Sequence, residues 1–327
     1  MSGKVDTCDV LVVGSGAGGL ATAVVAAENG LDVLVVEKEP VLGGTTAWSG
    51  GWLWIPRNPL AVRGGIVEDE AGPRRYLASE LGNAAGDPRV DVFLTNGPEM
   101  VRFFEEETEV AFIDGNKVPD FHATPGHATG GRSVAAAPYD GRGLGNWIAK
   151  LRPPLDVISV LGMGIASGAD LNHFVNATRT VASARHAAAR FLRHGRDLAV
   201  HGRGMQLVNG NALVARLLRS ALDRGVAIRT EAPAEALIVE GGRVVGARLG
   251  GSASGVVRAR RGVVLATGGF PHDPARIAAL FEHPRHHSAA PVSNTGDGLR
   301  LGEAAGGTVA DDLVNAGAWA PVSLVPR

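Results

Sequence analysis

The chain has 327 residues, 45% hydrophobic and 20% charged, with a formal net charge of −1, the make-up of a globular protein of one large domain or two average ones. Such a balance of charge raises no broad field for nucleic acid or an anionic membrane surface, and no nucleic-acid partner is expected. The single cysteine, Cys8, excludes an internal disulfide and a cysteine-built metal cluster, and fits a reducing, cytoplasmic setting.

Residues 10–27 run for 18 positions without a charge, close to the minimum for a membrane span. Gly14, Gly16, Gly18 and Gly19 interrupt the run, Asp9 precedes it, and no basic region or small-residue cleavage site frames it, so neither a span nor a leader is expected. The β-branched residues 10–13 instead predict a buried strand, the Ala-rich residues 20–29 a helix stopped by Gly30, and residues 33–36 a second strand.

Between the first strand and the helix lies G-S-G-A-G-G, in which Gly14, Gly16 and Gly19 satisfy the G-x-G-x-x-G spacing. Gly14 permits the tight turn, Gly16 lets a pyrophosphate approach the backbone, and Gly19 lets helix and strand pack closely. Ser15, Ala17 and Gly18 complete a loop whose N–H groups and helix dipole face an anion. Glu37 follows Gly14 by 23 residues at the tip of the second strand, where a carboxylate accepts from ribose hydroxyls and repels a 2′-phosphate. Lys38 adjoins it. The ligand is therefore an adenine dinucleotide, FAD or NAD.

A second glycine pair (Gly43, Gly44) and a third (Gly50, Gly51), with the hydroxyls of Thr45, Thr46 and Ser49 between them, come directly after this acid. A nicotinamide site has no obvious use for them, whereas a longer ligand with a ribityl chain and a flat ring does. They favour FAD over NAD.

Further on, residues 75–81 and 90–107 read as helices with Asp91 and Glu99 exposed. The loop 120–133 carries His122, His127 and Arg132 among glycines and is a candidate active-site lining, but no third ligand at metal spacing accompanies the histidines and no metal is expected. Residues 179–201 read as an amphipathic helix with Arg179, His186, Arg190, Arg193, His194 and His201 on a solvated face and Val181, Phe191, Leu192 and Leu198 on the opposite one. Leu213, Leu217, Leu218, Ala221 and Leu222 form another helical face, closed by Gly225 and followed by a strand at 226–229. Residues 236–239 and 244–249 flank Gly241-Gly242 as a hairpin. A buried strand at 262–267 ends in Gly268-Gly269, so that Ala266, Thr267, Gly268 and Gly269 lie at the strand end where open α/β sheets bind ligands. Asp297 stands at a helix start as an N-cap.

The runs D-V-L-V-V-G-S-G-A-G-G-L-A (9–21) and V-V-E-K-E-P-V-L-G-G-T-T-A-W-S-G-G-W-L-W-I-P (35–56), with A-T-G-G-F (266–270) and N-T-G-D-G-L-R (294–300), resemble the FAD-dependent oxidoreductases of the fumarate reductase and succinate dehydrogenase flavoprotein family, closest to its 3-oxosteroid 1-dehydrogenase branch. The resemblance runs from Asp9 to the last residue. It implies an α/β, three-layer Rossmann-like FAD-binding domain with a parallel sheet and a small antiparallel hairpin, the strand at 226–229 joining the sheet. It also implies an adenine contact at Pro233 and Ala234, and FAD contacts at Asn294 and Asp297. Some relatives attach FAD covalently through a histidine in the glycine loop; Gly44 stands there, so noncovalent FAD is implied. The catalytic tyrosine of the steroid enzymes is matched by Phe121, and no catalytic residue is assigned.

The implied activity is hydride transfer between a substrate carbon and flavin N5, at a C–C bond next to a carbonyl of a small-molecule substrate such as a ketosteroid or unsaturated acid. A capping domain begins in the family after the T-G-D-G helix, which places the FAD-binding domain at 1–312 and the start of a cut-off cap at 313–327. A lone chain is then expected to hold FAD weakly unless an additional chain completes the site. The alternatives are a catalytically inert FAD-binding fragment or subunit, and an NAD-binding protein.

Overall fold

The computed structural model describes residues 5–281, 287–314 and 316–317. The expected domain boundary after residue 312 falls at the margin of that range, and residues 315 and 318–327 of the expected cap lie outside it.

Strand β1 (Val5–Val13) begins well before the apolar run, because its first residues pair with a strand that arrives some 250 residues later in the chain, from Val5 against Val256 onward. Helix α1 (Ala17–Glu28) and β2 (Val33–Val36) follow, the latter buried at all four positions. Next come β3 (Trp52–Trp54), α2 (Pro59–Arg63), α3 (Ala71–Leu81) and α4 (Pro88–Glu107). The middle of the chain supplies β4 (Phe112–Asp114), β5 (Ser133–Ala136), β6 (Tyr139–Asp140), β7 (Ser159–Val160), β8 (Met163–Gly164), α5 (Ala169–Val175) and α6 (Val181–His201). The α/β rhythm then resumes with β9 (Gln206–Leu207), α7 (Asn209–Asp223), β10 (Ala227–Arg229), β11 (Ala234–Glu240), β12 (Arg243–Leu249), β13 (Gly255–Leu265), α8 (Pro274–Leu280) and α9 (Asp297–Ala304).

The main sheet has the order β10-β2-β1-β13-β12-β11. Its first four strands are mutually parallel, and the β11–β12 hairpin continues it antiparallel beyond β13. The expected hairpin is thus the far edge of one sheet, turned at Gly241 and Gly242, both at positive φ as a two-residue turn requires. Because successive strand residues face opposite ways, Val12, Val33 and Val35 pack under α1 and α7 with Leu20, Val24 and Leu218. Leu11, Val13, Leu34 and Val36 meet Ala247, Leu249 and Val257 on the other face. Three small antiparallel sheets, β3-β5-β4, β6-β9 and β7-β8, come from residues 52–207.

Helix α6 reverses the face expected of it. Its inward stripe is Ser183, Ala187, Arg190, His194 and Asp197, while Val181 and Leu192 are 78% and 77% exposed. The cause is what lies beneath: the turn between β7 and β8 and the loop after α6 present polar backbone that needs partners. His194 Nε2 lies 2.9 Å from the Leu161 carbonyl, Arg190 Nη2 donates to the Gly164 carbonyl at 2.7 Å, and Asp197 accepts from Met205 N at 3.0 Å and from Arg142 Nη2 at 2.6 Å. Replacing Asp197 by alanine should therefore cost about 2 kcal/mol, whereas Leu192→Ala should stay within about 0.5 kcal/mol of the parent. Urea midpoints of the two variants check this, and equal losses would refute the buried polar stripe.

Candidate dinucleotide site

The turn from β1 into α1 is held by two close approaches. Gly14, at φ +107°, has no space for a side chain, since a Cβ there would lie 2.3 Å from the Ala266 carbonyl oxygen. A Cβ on Gly19 would lie 2.0 Å from the Gly14 carbonyl oxygen. Gly16 differs: its backbone is extended, and a Cβ would meet only Thr46 Oγ1 at 3.5 Å. The protein's own packing demands the first and last glycines and leaves space at the middle one. No side chain caps α1 at Gly16, so the first-turn N–H groups and the positive end of the helix dipole face the space above. Ala17 N alone is drawn aside, donating to Thr46 Oγ1 at 3.0 Å.

Glu37 directly follows β2 and is 9% exposed. Its Oε2 accepts from Ser15 Oγ at 2.6 Å and Ser15 N at 3.1 Å, and its Oε1 accepts from Glu39 N at 3.0 Å. Ser15 Oγ in turn accepts from Gly43 N at 3.0 Å. A carboxylate has about four acceptor positions, so Glu37 keeps capacity for a ligand hydroxyl. The opposite wall comes from the end of β13 and the start of α9. Asn294 Nδ2 donates to Thr45 Oγ1 at 2.8 Å, Gly298 N donates to Thr267 Oγ1 at 3.0 Å, and Lys38 Nζ donates to Thr295 Oγ1 at 3.3 Å and pairs with Asp297.

Asp297 is the first residue of α9 and not its N-cap: Gly296, at φ 72°, holds that place and the carboxylate caps nothing. It faces Lys38, Arg300 and Thr295 Oγ1 instead. Burial acts to raise the pKa of Asp297, but the Lys38 ammonium, the Thr295 hydroxyl and Arg300 outweigh it and hold the group below the usual aspartate range.

These walls enclose a cavity of about 330 Å³, within the range of small-molecule sites. Of the residues singled out from sequence, Gly14, Ser15, Gly16, Ala17, Gly18, Glu37, Lys38, Gly44, Thr45, Thr46, Pro233, Ala234, Ala266, Thr267, Gly268, Asn294 and Asp297 line it. Gly19 and Gly43 stand behind the lining, the latter against Ala47 and Val214. Gly269 is outside the lining. Ser49 faces a different cavity. Gly50 abuts the Trp52 ring, and Gly51, at φ 70°, allows the backbone of residues 209–210 to come close, so both serve packing.

Sequence reasoning missed Arg152, Glu39, Ala232, Ser293 and Leu301, all on the cavity wall. Arg152 is the informative one. Its guanidinium lies 5.2 Å from the Trp48 ring centre and 3.9 Å from Glu39, and its buried Nε has no hydrogen-bond partner. A buried donor without an acceptor is costly, and a phosphate oxygen supplies what it lacks. The uncapped helix, the space at Gly16 and this donor fit a pyrophosphate.

The loop 120–133 has a structural role that its composition did not reveal. Arg132 is 2% exposed, pairs with Glu68 and, at 2.7 Å, with Asp120, and lies 5.9 Å from the Trp54 and Tyr76 ring centres. His122 Nδ1 lies 2.6 Å from Glu80. Phe121 projects outward at 96% exposure. Tyr139 is half-buried with the Arg216 guanidinium 5.2 Å from its ring centre.

Fold and cavity together define a Rossmann-type dinucleotide-binding domain. Residues 9–327 match the family model described as the FAD binding domain; the chain belongs to that family, and its cofactor is FAD. It is 38% identical to the 4-oxocyclohex-2-ene-1-carboxylate 5-dehydrogenase of Sinomonas cyclohexanicum, across 98% of this chain and 55% of that protein. It is 33% identical to the 3-oxosteroid 1-dehydrogenase of Mycobacterium tuberculosis, across 98% and 57%. Among solved structures, the 3-ketosteroid delta1-dehydrogenase of Sterolibacterium denitrificans, in complex with 1,4-androstadiene-3,17-dione, superposes with a TM-score of 0.81 at 31% identity, covering 91% of this chain and 54% of that one. The chain therefore spans a little over half the length of the relatives it matches. Among the described residues, no helix is long and apolar enough to cross a membrane.

Two outcomes follow from the geometry. Gly16→Ala should leave stability within about 0.5 kcal/mol of the parent while weakening FAD binding at least about tenfold through the lost close approach. Gly19→Ala should lose roughly 3 kcal/mol by overpacking; urea melts with flavin-fluorescence titration distinguish them. The depressed pKa of Asp297 gives the second. A lowered carboxylate contributes stability that is complete above its unfolded value and is lost as pH falls through its folded value. Stability measured between about pH 6 and about pH 3 should therefore fall less steeply in Lys38→Met than in the parent, by up to about 1 kcal/mol. Identical acid limbs would exclude the coupling.

Proposed function

We propose that this chain is the FAD-holding part of a dehydrogenase acting at a C–C bond next to a ring carbonyl. The observation that carries the reading is the cavity itself, in which an uncapped α1, the buried Glu37 and the orphaned Nε of Arg152 line one space. Two relatives above 30% identity, matched along nearly the whole of this chain, are named for the removal of hydrogen from oxo-substituted rings.

The division of labour follows from position. Gly14, Ser15, Gly16, Ala17 and Gly18 hold the pyrophosphate on backbone N–H groups, with Arg152 donating from the side. Glu37 accepts from the adenosine ribose, Lys38 and Asp297 brace the far wall, and Ala234 lies along the adenine. Gly44, Thr45, Thr46 and Asn294 take the ribityl side, with Ala266, Thr267 and Gly268 closing the strand end. Bound FAD supplies hydride acceptance at N5. The chain's own contribution is binding, orientation and exclusion of water. FAD is noncovalent in this reading, since Gly44 offers no attachment point. Residues 1–312 form the FAD-binding domain and residues from 313 onward begin a cap. In this reading the setting is cytoplasmic, and an additional chain contributes to the flavin site.

The test is a visible spectrum of the purified chain after FAD titration, then reduction of an electron-accepting dye with 4-oxocyclohexanecarboxylate or 4-androstene-3,17-dione. One FAD per chain, released intact by heat, together with dye reduction by an oxo-ring substrate, supports the proposal. Uptake of NAD with FAD left in solution overturns it. Stoichiometric FAD without turnover reduces the chain to an FAD-binding piece.

A further inference from the structure

Helix α6 turns its polar stripe to the protein and leaves an apolar one outside. At 3.6 residues per turn, the line opposite Arg190 runs through Val181, Arg185, Ala188, Leu192, Arg196 and Ala199, every one of them exposed. Phe191 and Leu198 border that line on one side, Ala189 and Val200 on the other, and all four are exposed. A second cavity, of about 280 Å³, lies between the 43–51 loop, through Ala47 and Ser49, and the inward stripe of α6, through Arg190, His194 and Asp197. Leu161, in the turn between β7 and β8, lines it together with Arg193 and Leu198, so the turn and the helix form one surface. Val157 and Leu161 are 86% and 79% exposed there. Phe174 sets its ring edge to Phe191 with 5.9 Å between centres, which seats α5 beside the same border with Leu171 and Val175 exposed.

The charge on this face is of one sign. Residues 156–201 hold five arginines and three aspartates. Two of the aspartates are turned inward. Asp170 lies 2.6 Å from His186 Nε2 and 3.5 Å from Arg190 Nη2, and Asp197 accepts from Arg142 and from Met205 N. Arg179, Arg185, Arg193 and Arg196 are left exposed against Asp156 alone. Among the described residues none of these four is in an ion pair, whereas Arg74, Arg102, Arg219 and Arg260, elsewhere on the surface, each meet a carboxylate. The whole chain carries a net charge of −1, so the local surplus comes from placement and not from composition.

We infer that this face rests on a lipid bilayer whose headgroups carry negative charge, the aliphatic side chains of α6 and of the β7–β8 turn entering the boundary between headgroups and acyl chains and the arginines reaching the phosphates. A contiguous exposed apolar patch marks a surface for a protein or a membrane, and the chemistry of this one favours lipid. Protein interfaces are enriched in Trp, Tyr and Met, and the outward side of α6 has none of the three. Helices that lie along a bilayer combine aliphatic and basic residues. An arginine there keeps its stem on the apolar surface while its guanidinium reaches a headgroup. Each basic residue near an anionic surface strengthens the attraction roughly fivefold. Screening confines that attraction to about 10 Å, so the local surplus counts and the net charge of the chain does not.

The experiment is co-sedimentation of the purified chain, with FAD added, with vesicles of phosphatidylcholine alone and with vesicles of phosphatidylcholine and phosphatidylglycerol in equal parts. Binding to the anionic vesicles should be at least about tenfold tighter than to the neutral ones, and should weaken as salt is raised. Leu192→Asp should weaken it at least about tenfold at an unchanged urea midpoint, because the side chain it replaces is exposed. Val67→Asp, at an exposed position between α2 and α3, should bind as the parent does. Arg185→Gln, Arg193→Gln and Arg196→Gln combined should remove the preference for anionic vesicles. A parent that binds neither kind of vesicle, or both equally, overturns the proposal even where no variant folds. Equal losses in Leu192→Asp and Val67→Asp overturn it as well. A parent that leaves vesicles alone but forms a dimer that Leu192→Asp dissociates assigns the face to a second copy of this chain, and lipid docking falls.

Discussion

The geometry of the cofactor cavity depends on one buried carboxylate. Glu37 is removed from water by the end of β2, and a charge so placed must be hydrogen-bonded to persist. Ser15 meets that need twice, through its hydroxyl and its backbone N–H, and the same hydroxyl accepts from Gly43 N. Three segments are joined at one point: the first glycine turn, the second strand and the second glycine loop. With these joined, the start of α1 is aimed, the floor of the cavity is set, and the 43–51 loop is carried across to form a wall shared with the second cavity.

The other walls are brought in from the far end of the chain. Lys38 meets Asp297 and Thr45 meets Asn294 across sequence separations of 259 and 249 residues. Closing a loop that long adds little beyond closing a shorter one, since the entropic cost grows only logarithmically with length. Parallel pairing of β13 against β1 makes the closure possible, because it delivers Ala266, Thr267 and Gly268 beside the β1–α1 turn. The ion pair and hydroxyl contacts then align α9 with the tip of β2.

The middle of the chain is organised by its polar groups. Arg132 is buried between Glu68 and Asp120 beneath two aromatic rings, which fixes the 120–133 loop to α3 and β3. Along α6 a polar stripe turns inward and apolar side chains turn out. A helical periodicity records which residue types share a face, but it carries no information about what the face will meet. Where the surface beneath is unpaired backbone, arginine, histidine and aspartate satisfy it better than leucine does. The same inward turn gives the second cavity its charge.

The strand expected at 262–267 runs from Gly255 to Leu265, because its first residues pair with the start of β1. The first βαβ unit, the glycine turn and the acid following the second strand were legible in sequence, and so were the helices at 75–81, 90–107, 179–201 and 213–222 and the Gly241-Gly242 hairpin. The reason is local: buried strands need unbroken β-branched residues, a tight turn needs a residue without Cβ, and an amphipathic helix repeats every 3.6 residues. Only the tertiary structure decided that Gly51 serves packing and that Gly296, not Asp297, caps α9. It alone brought Arg152 onto the cofactor wall and turned Arg190 inward. Each of these depends on which distant backbone or charge a residue meets, and such a partner is set by how β13, α6 and α9 close on the chain before them.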